Sequence, residues 1–247
     1  MLSKNLELII SQLEELTRSL FPEILKIYRN PRSNVQEKKD GSPVTAADMY
    51  AHKAMVKFLK RHFPDIPVVS EESFRQKNYK PAKEFWIIDP IDGTKEFVNK
   101  SDEFTTNIAL IQNGKPVLGV VGAPVFDQVW SGITNQQMNK KKADSKKRSI
   151  LRIVTSKSHR TVIDKAFLNF LDKKGKRLKI IPKGSSLKIC ALADKTADIY
   201  PRFGPTSEWD IAAADAVLRS RGGGIFQIDN HKPLEYGKKD SILNPMF

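Results

Sequence analysis

A chain of 247 residues with 40% apolar residues and 13 phenylalanines has enough material for one large domain or two small ones with a real core. The single cysteine, Cys190, excludes an intrachain disulfide and fits a reducing compartment, and no apolar run is near the ~18 residues of a spanning helix. The net charge of +14 suits an anionic partner, but much of it sits in one run, Lys140, Lys141, Lys142, Lys146, Lys147 and Arg148, which has the character of a solvated loop and lacks the interleaved aromatics of single-strand nucleic-acid binders.

From the N-terminus, residues 3–28 place Leu6, Ile9, Ile10, Leu13, Leu16 and Leu20 at helical spacing, with a bend expected at Pro22. The acids Glu7, Glu14 and Glu15 among them argue against a signal peptide. Residues 30–44 are polar, with Pro31, Gly41 and Pro43, and predict a loop or short hairpin. Thr45 with Asp48 three residues on makes a capping box for a second helix running to about Phe63. A short strand follows over Ile66 to Val69, with Glu71 and Glu72 at its end.

The stretch Glu84 to Phe97 comes next. Phe85 to Ile88 predict a buried strand, expected to stop at Asp89-Pro90 because proline cannot donate to the ladder. Asp89 and Asp92 stand three residues apart, and Gly93 permits a tight turn. Acids at the end of a buried strand are costly unless a positive group meets them, and a hard divalent cation is a natural partner. A solvated Asp-Gly turn accounts for the same residues equally well.

Thr106 to Ile111, Val117 to Val121 and Gln128 to Ile133 predict antiparallel strands, the first two joined by an Asn113-Gly114 hairpin. Beyond the lysine run the rhythm alternates. Strands are predicted at Leu151 to Thr155, Leu178 to Ile181, Asp198 to Tyr200 and Ile225 to Ile228. Helices are predicted at His159 to Lys173, Ser186 to Ala193 and Trp209 to Arg221, the last capped by Gly222 to Gly224. The expected division is an α+β lobe over 1–149 and an α/β lobe over 150–247. Cys190, among apolar neighbours, is expected to be a buried inert thiol.

Asp48, Glu71, Asp89, Asp92 and Asp210 thus fall at the ends of elements. Singly, each has a structural explanation, since the helix dipole favours an acid at a helix start. Together they would form an oxygen-lined site for Mg²⁺, where divalent ions hold phosphate oxygens and lower the pKa of water. Other chemistries fit worse. The four histidines show no HExxH pairing, there is no G-x-S-x-G elbow, and Gly184-Ser-Ser-Leu-Lys188 lacks the spacing of a Walker A loop. An aspartyl-phosphate route would expect Asp-x-Asp, one residue shorter than Asp89 to Asp92.

Four motifs in order carry a resemblance: Asp40-Gly-Ser-Pro-Val-Thr-Ala-Ala-Asp48, Ser70-Glu71-Glu72, Asp89-Pro-Ile-Asp-Gly-Thr94 and Trp209-Asp210-Ile-Ala-Ala. Over nearly its whole length the chain resembles the magnesium-dependent, lithium-sensitive phosphatases related to inositol monophosphatase. Lys95-Glu96-Phe97, Gly184-Ser-Ser-Leu-Lys188 and the segment from Ala197 to Thr206 make it most similar to the 3'(2'),5'-bisphosphate nucleotidases of the CysQ type. Phe203 beside Arg202, where inositol-specific relatives carry a carboxylate, suits a base and a second phosphate better than a polyol.

The resemblance implies a layered αβαβα sandwich of the inositol monophosphatase and fructose-1,6-bisphosphatase type. It implies two Mg²⁺ and a weaker third. Glu71, Asp89 and the Ile91 carbonyl would hold one ion, and Asp89, Asp92 and Asp210 another. Gly93 and Thr94 amides would hold phosphate, and Asp48 with Thr94 would orient and deprotonate the attacking water. Gly184, Ser185, Ser186, Lys188 and Arg202 would contact the nucleotide. The implied reaction removes the 3'-phosphate of adenosine 3',5'-bisphosphate, or of its sulfated form, with no covalent enzyme intermediate. The implied setting is the cytoplasm, with weak peripheral attraction to the anionic inner membrane and no nucleic-acid partner. Two positions depart from the family: Ala214 stands where glycine is frequent, and Gly122 where an aromatic is usual. An inositol or sugar phosphatase of the same family is the alternative reading. A basic nucleic-acid or membrane-binding protein is the alternative from another class.

Overall fold

The computed structural model describes residues 5–30, 35–37, 43–134, 149–157 and 161–247. The run at 140–148, Asp40 to Ser42 and His159 lie outside them.

Helix α1 (Leu6–Arg29) buries Ile9, Ile10, Leu13, Leu20 and Ile24 on one stripe and carries Pro22 within its length. The polar stretch after it pairs β1 (Val35–Glu37) with β2 (Pro43–Thr45) as an antiparallel hairpin. Helix α2 (Ala46–His62) opens on the Thr45 and Asp48 capping box. Strands β3 (Val68–Ser70), β4 (Glu84–Asp92), β5 (Thr105–Gln112), β6 (Lys115–Ala123) and β7 (Gln128–Ile133) form one five-stranded sheet in that order. The β3–β4 pair is parallel and the rest are antiparallel. A short helix, α3 (Thr94–Val98), follows β4 directly. In the second half, β8 (Ile150–Ser156) and β9 (Arg177–Lys183) pair in parallel around α4 (Val162–Lys173), and α5 (Leu187–Ala193) and α6 (Glu208–Ser220) complete the helices.

The pleat of β4 explains the layering. Trp86 and Ile88 point into a core shared with α1 and α2, while Phe85 and Ile87 point into a second core with α5 and α6. Beyond α5 lies the β8–β9 pair, then α4 on β9. The order is αβαβα, the fold class expected. The second core takes residues from both sides of position 150, from Phe85 and Val121 to Ala213 and Phe247. Among the described residues, no helix is long and apolar enough to cross a membrane.

Three expectations need correction. Strand β4 does not stop at Asp89-Pro90 but runs to Asp92, which pairs with Thr105 across an irregular register after Asp89. Proline is tolerated there because β3 ends opposite Ile88, leaving that side of β4 without a ladder. The predicted strands at 198–200 and 225–228 are single bridges, Ile153 with Ile199 and Phe226 with Pro233. At the first, the Asp198 carboxylate turns back to the Arg152 backbone and guanidinium. At the second, the chain reverses at once, with Gln227 N–H bonded to the Lys232 carbonyl, and Pro233 has no N–H to extend the ladder.

Gly122 has a packing reason. A Cβ there would lie 2.4 Å from Thr17 Cγ2 and 2.9 Å from Phe21 Cε1, so α1 already fills the space that an aromatic side chain would need. Ala214 is buried in the second core, one turn after Asp210 on α6.

Candidate active site

Four elements converge at the C-terminal end of β4. β4 supplies Asp89 and Asp92, the turn after β3 supplies Glu71, the first turn of α6 supplies Asp210, and the first turn of α2 supplies Asp48. Each placement follows from local chemistry. Asp210 and Asp48 are the acidic partners of capping boxes, with Ser207 N–H donating to Asp210 at 2.9 Å and Thr45 N–H to Asp48 at 2.7 Å. Gly93, at φ 90°, turns the chain from β4 into α3, and a Cβ there would fall 2.0 Å from Ser185 Oγ. No other residue fits that turn.

Asp89, Asp92 and Asp210 each bring a carboxylate oxygen within 4.8 Å of the others. Such a cluster is unfavourable on its own. Burial, then Glu71, Asp92 and Asp210, hold Asp89 well above the usual carboxylate range, and it shares a hydrogen bond with Glu71. Burial and then Asp92 do the same to Asp210. Burial raises Asp92 too, against the opposing pull of Lys188 and the Ser186 hydrogen bonds. One oxygen of Asp89, Oδ1, is buried with no hydrogen-bond partner. Orphaned carboxylate oxygen amid mutually repelling acids is the donor set of a hard divalent cation, so the residues fit Mg²⁺.

Asp48 is the fifth acid, pushed up to about 6 by burial against the lowering hydrogen bonds of Thr45. Its Oδ1 accepts from Thr94 Oγ1 at 3.3 Å, and the same hydroxyl lies 3.3 Å from the Ile91 carbonyl.

The acids open onto a cavity of about 270 Å³. Of the residues the sequence pointed to, Glu71, Asp92, Gly93, Thr94, Ser185, Ser186, Lys188, Arg202 and Asp210 line it. Asp48, Asp89 and Ile91 are buried behind its wall, each 1% exposed. Gly184 is not in the lining; a Cβ there would meet the Glu103 carbonyl at 2.6 Å, which accounts for the glycine by packing. Phe203 also faces elsewhere, against Phe167 of α4 at 5.6 Å between ring centroids, while Tyr200 is the aromatic in the lining.

Sequence reasoning missed a layer behind the acids. Asn107, on β5, donates through Nδ2 to Ser186 Oγ at 3.0 Å and lies 3.4 Å from Asp92 Oδ2. Ser186 Oγ in turn donates to the Asp210 carbonyl at 2.8 Å. Ser185, at φ 47°, sets its hydroxyl between the Asp92 and Glu103 carbonyls at 2.8 and 2.7 Å. The polar triplet Thr105, Thr106 and Asn107 inside a buried strand was the one signal available for this layer. Ser156, at the end of β8, also lines the cavity and carried no signal. Cys190 is a buried thiol whose pKa burial drives upward, so it plays no nucleophilic part.

Known proteins resemble the chain over nearly its whole length. The profile of the inositol monophosphatase family matches residues 5–245. A 3'(2'),5'-bisphosphate nucleotidase CysQ of Escherichia coli is 39% identical over 246 residues, covering 96% of this chain and 98% of that protein. The CysQ nucleotidase of Buchnera aphidicola is 40% identical over 219 residues, covering 85% of this chain and 81% of that one. Among solved structures, CysQ from Bacteroides thetaiotaomicron superposes with a TM-score of 0.78 at 36% identity, covering 94% of this chain and 93% of its own.

Proposed function

The chain belongs to the inositol monophosphatase family, and on that premise we propose that it is a Mg²⁺-dependent 3'(2'),5'-bisphosphate nucleotidase that takes the 3'-phosphate from adenosine 3',5'-bisphosphate, giving AMP and phosphate. One observation carries the reading. The carboxylates of Asp92 and Asp210, with Asp89 buried behind them, line the same cavity as Lys188 and Arg202, so a cation site and an anion site share one small space. A substrate with two phosphates matches both ends.

In this reading Glu71, Asp89 and the Ile91 carbonyl would hold one Mg²⁺, and Asp89, Asp92 and Asp210 a second, with a weaker third on Glu71. Bound Mg²⁺ neutralises phosphate charge and lowers the pKa of water. The chain does the rest. The amides of Gly93 and Thr94 donate to phosphate oxygens at the turn that Gly93 makes possible. The Thr94 hydroxyl donates to Asp48, which leaves its lone pairs to accept from the attacking water. Asp48, held near 6, takes the proton passed through Thr94. Lys188 and Arg202 neutralise the remaining phosphate, and Tyr200 offers a ring face to the nucleoside. Ser186 bonds Asp92 and the Asp210 carbonyl while reaching the cavity, Ser185 braces the turn at Asp92, and Gly184 lets that loop pack on Glu103.

The sulfated nucleotide fits the same two-anion arrangement. The reading extends to sulfur assimilation in the cytoplasm, with the basic run at 140–148 giving weak attraction to an anionic membrane surface. Phosphate release from adenosine 3',5'-bisphosphate, with Mg²⁺ and then with a chelator, tests it. Release that needs Mg²⁺ upholds the proposal, and no release overturns it.

A further inference from the structure

The run from Leu234 to Phe247 contains no helix and no strand beyond isolated bridges, yet Leu234, Tyr236, Ile242, Asn244 and Phe247 are all buried. Part of it ties to Gly114, Asp215, Ile225 and Gln76, and the rest pairs with the segment Arg202 to Glu208. Arg202 N–H donates to the Phe247 carbonyl at 2.6 Å, and Phe247 N–H to the Arg202 carbonyl at 3.1 Å. Asn244 N–H donates to the Thr206 carbonyl at 2.8 Å. Its side-chain amide donates to Thr206 Oγ1 at 3.2 Å and to the Ser207 carbonyl at 2.9 Å. Glu208 N–H donates to the Ile242 carbonyl at 2.9 Å. The fully buried Glu208 carboxylate accepts from Gly237 N–H at 2.6 Å and pairs with the Lys238 ammonium.

The tied segment has two faces. One meets the strap. The other presents Arg202, Pro205 and Thr206 to the cavity, and two residues beyond Glu208 comes Asp210. A loop that must be ordered on binding charges that entropy against affinity, whereas one paired in advance does not. Asn244 does the most here with one side chain, because both hydrogens of its amide are used on successive residues. Removing it takes one donor from the Ser207 carbonyl, which keeps the Asp210 N–H, and leaves the half-buried Thr206 hydroxyl without the amide. Phe247 adds a second link: its ring packs on Tyr200 at 5.8 Å and 81°, and Lys188 Nζ lies 5.8 Å from the Tyr200 centroid.

We infer that Asn244, which does not itself line the cavity, is a positioning residue for substrate: it holds the Arg202–Thr206 wall in its binding shape, an assignment that rests on the nucleotidase reading above. It acts on affinity for the nucleotide, not on the metal centre or the water.

The test is steady-state kinetics on the Mg²⁺-loaded full chain carrying Asn244→Ala, with adenosine 3',5'-bisphosphate and with p-nitrophenyl phosphate, which has no second phosphate for Arg202. KM for the nucleotide rises about tenfold, the cost of ordering one or two side chains, while kcat and the aryl phosphate KM stay within about twofold. Hydrogen exchange over residues 202–208 quickens in the same variant. Leu243→Ala, on the exposed side of the strap, changes neither. Native KM in Asn244→Ala, or equal losses on both substrates, overturns the inference. If Asn244→Ala does not fold, a chain stopped after Met246 removes the two Arg202 bonds, and the same split between substrates is expected of it; no split overturns the inference. If the unmodified protein releases no phosphate, the nucleotidase reading fails, and the exchange measurement alone decides the strap: faster exchange upholds it and unchanged exchange overturns it.

Discussion

Thr94 Oγ1 lies 3.3 Å from Asp48 Oδ1, although the two residues are 46 positions apart. The second oxygen of the same carboxylate closes the capping box of α2, accepting from Thr45 N–H at 2.7 Å and Thr45 Oγ1 at 2.5 Å. One acid therefore anchors a helix and aims a hydroxyl. Asp48→Asn divides these duties. It keeps an oxygen for the cap but loses the base, so turnover falls about 10²- to 10³-fold. The amide's N–H₂ meets the Thr94 hydroxyl, which can accept while its own proton turns to the Ile91 carbonyl, and the buried charge is gone, so stability stays level or rises. Initial rates and a urea melt read both; near-normal turnover removes Asp48 from the proton path.

Asp92→Asn gives the same stability direction with a larger loss of turnover. Asp92 is one of several buried acids that repel one another, so neutralising it relieves strain in the metal-free protein. The variant loses several orders of magnitude in turnover, as expected for one ligand of a catalytic ion, while its metal-free melting temperature stays level or rises. Retained activity with an unchanged melt would falsify its place on the metal.

The same repulsion fixes a pH dependence. Asp89 and Asp210 have folded-state pKa values well above the ordinary 3.8. Above 3.8 the folded metal-free protein then holds more protons than the unfolded chain, so its stability declines as pH rises toward those raised values. Mg²⁺ displaces the protons and removes the penalty. Saturation about 100-fold above Kd is worth about 2.7 kcal/mol, or a few degrees in Tm for a chain of this size. The Mg²⁺-induced rise in Tm is larger at pH 8 than at pH 5, and calorimetry in buffers of different ionisation enthalpy records proton release on binding. A rise independent of pH contradicts the shared-acid site.

Gly122→Ala separates fold from function. The added methyl would meet Thr17 and Phe21 of α1 at 2.4 and 2.9 Å. Overpacking of this kind costs about 1–3 kcal/mol. No acid of the site is involved, so the midpoint of chemical unfolding falls while Mg²⁺ affinity holds. Unchanged stability would mean that α1 sits farther from β6.

The acids were legible because each stands at an element end, where a hydrophobic run stops and a charge follows. Asp89 and Asp92 after the Phe85 to Ile88 run, and Asp210 after Trp209, could be seen without any structure. What could not be seen depends on which neighbour arrives. Pro90 inside β4 is allowed only because β3 ends two residues earlier, a fact of pairing. Asn107 and Ser186 meet from strands and loops 79 residues apart, so neither stood out. Phe203 was read as a partner for a base from its place beside Arg202, but α4 supplies Phe167 to receive it, and Tyr200 takes the cavity instead. Segment 198–200 has strand-like residues, yet an Asp198 bound to Arg152 leaves a single bridge.

The central claim is that a carboxylate metal centre and a second anion site, Lys188 with Arg202, read two phosphates on one nucleotide. The measurement that tests it most directly is kcat/KM for adenosine 3',5'-bisphosphate against inositol 1-phosphate, in Mg²⁺, on the same preparation. The account predicts a preference of about 100-fold or more for the nucleotide, because the inositol ester brings no second phosphate to Lys188 and Arg202. Equal values, or a preference for the inositol ester, contradict it.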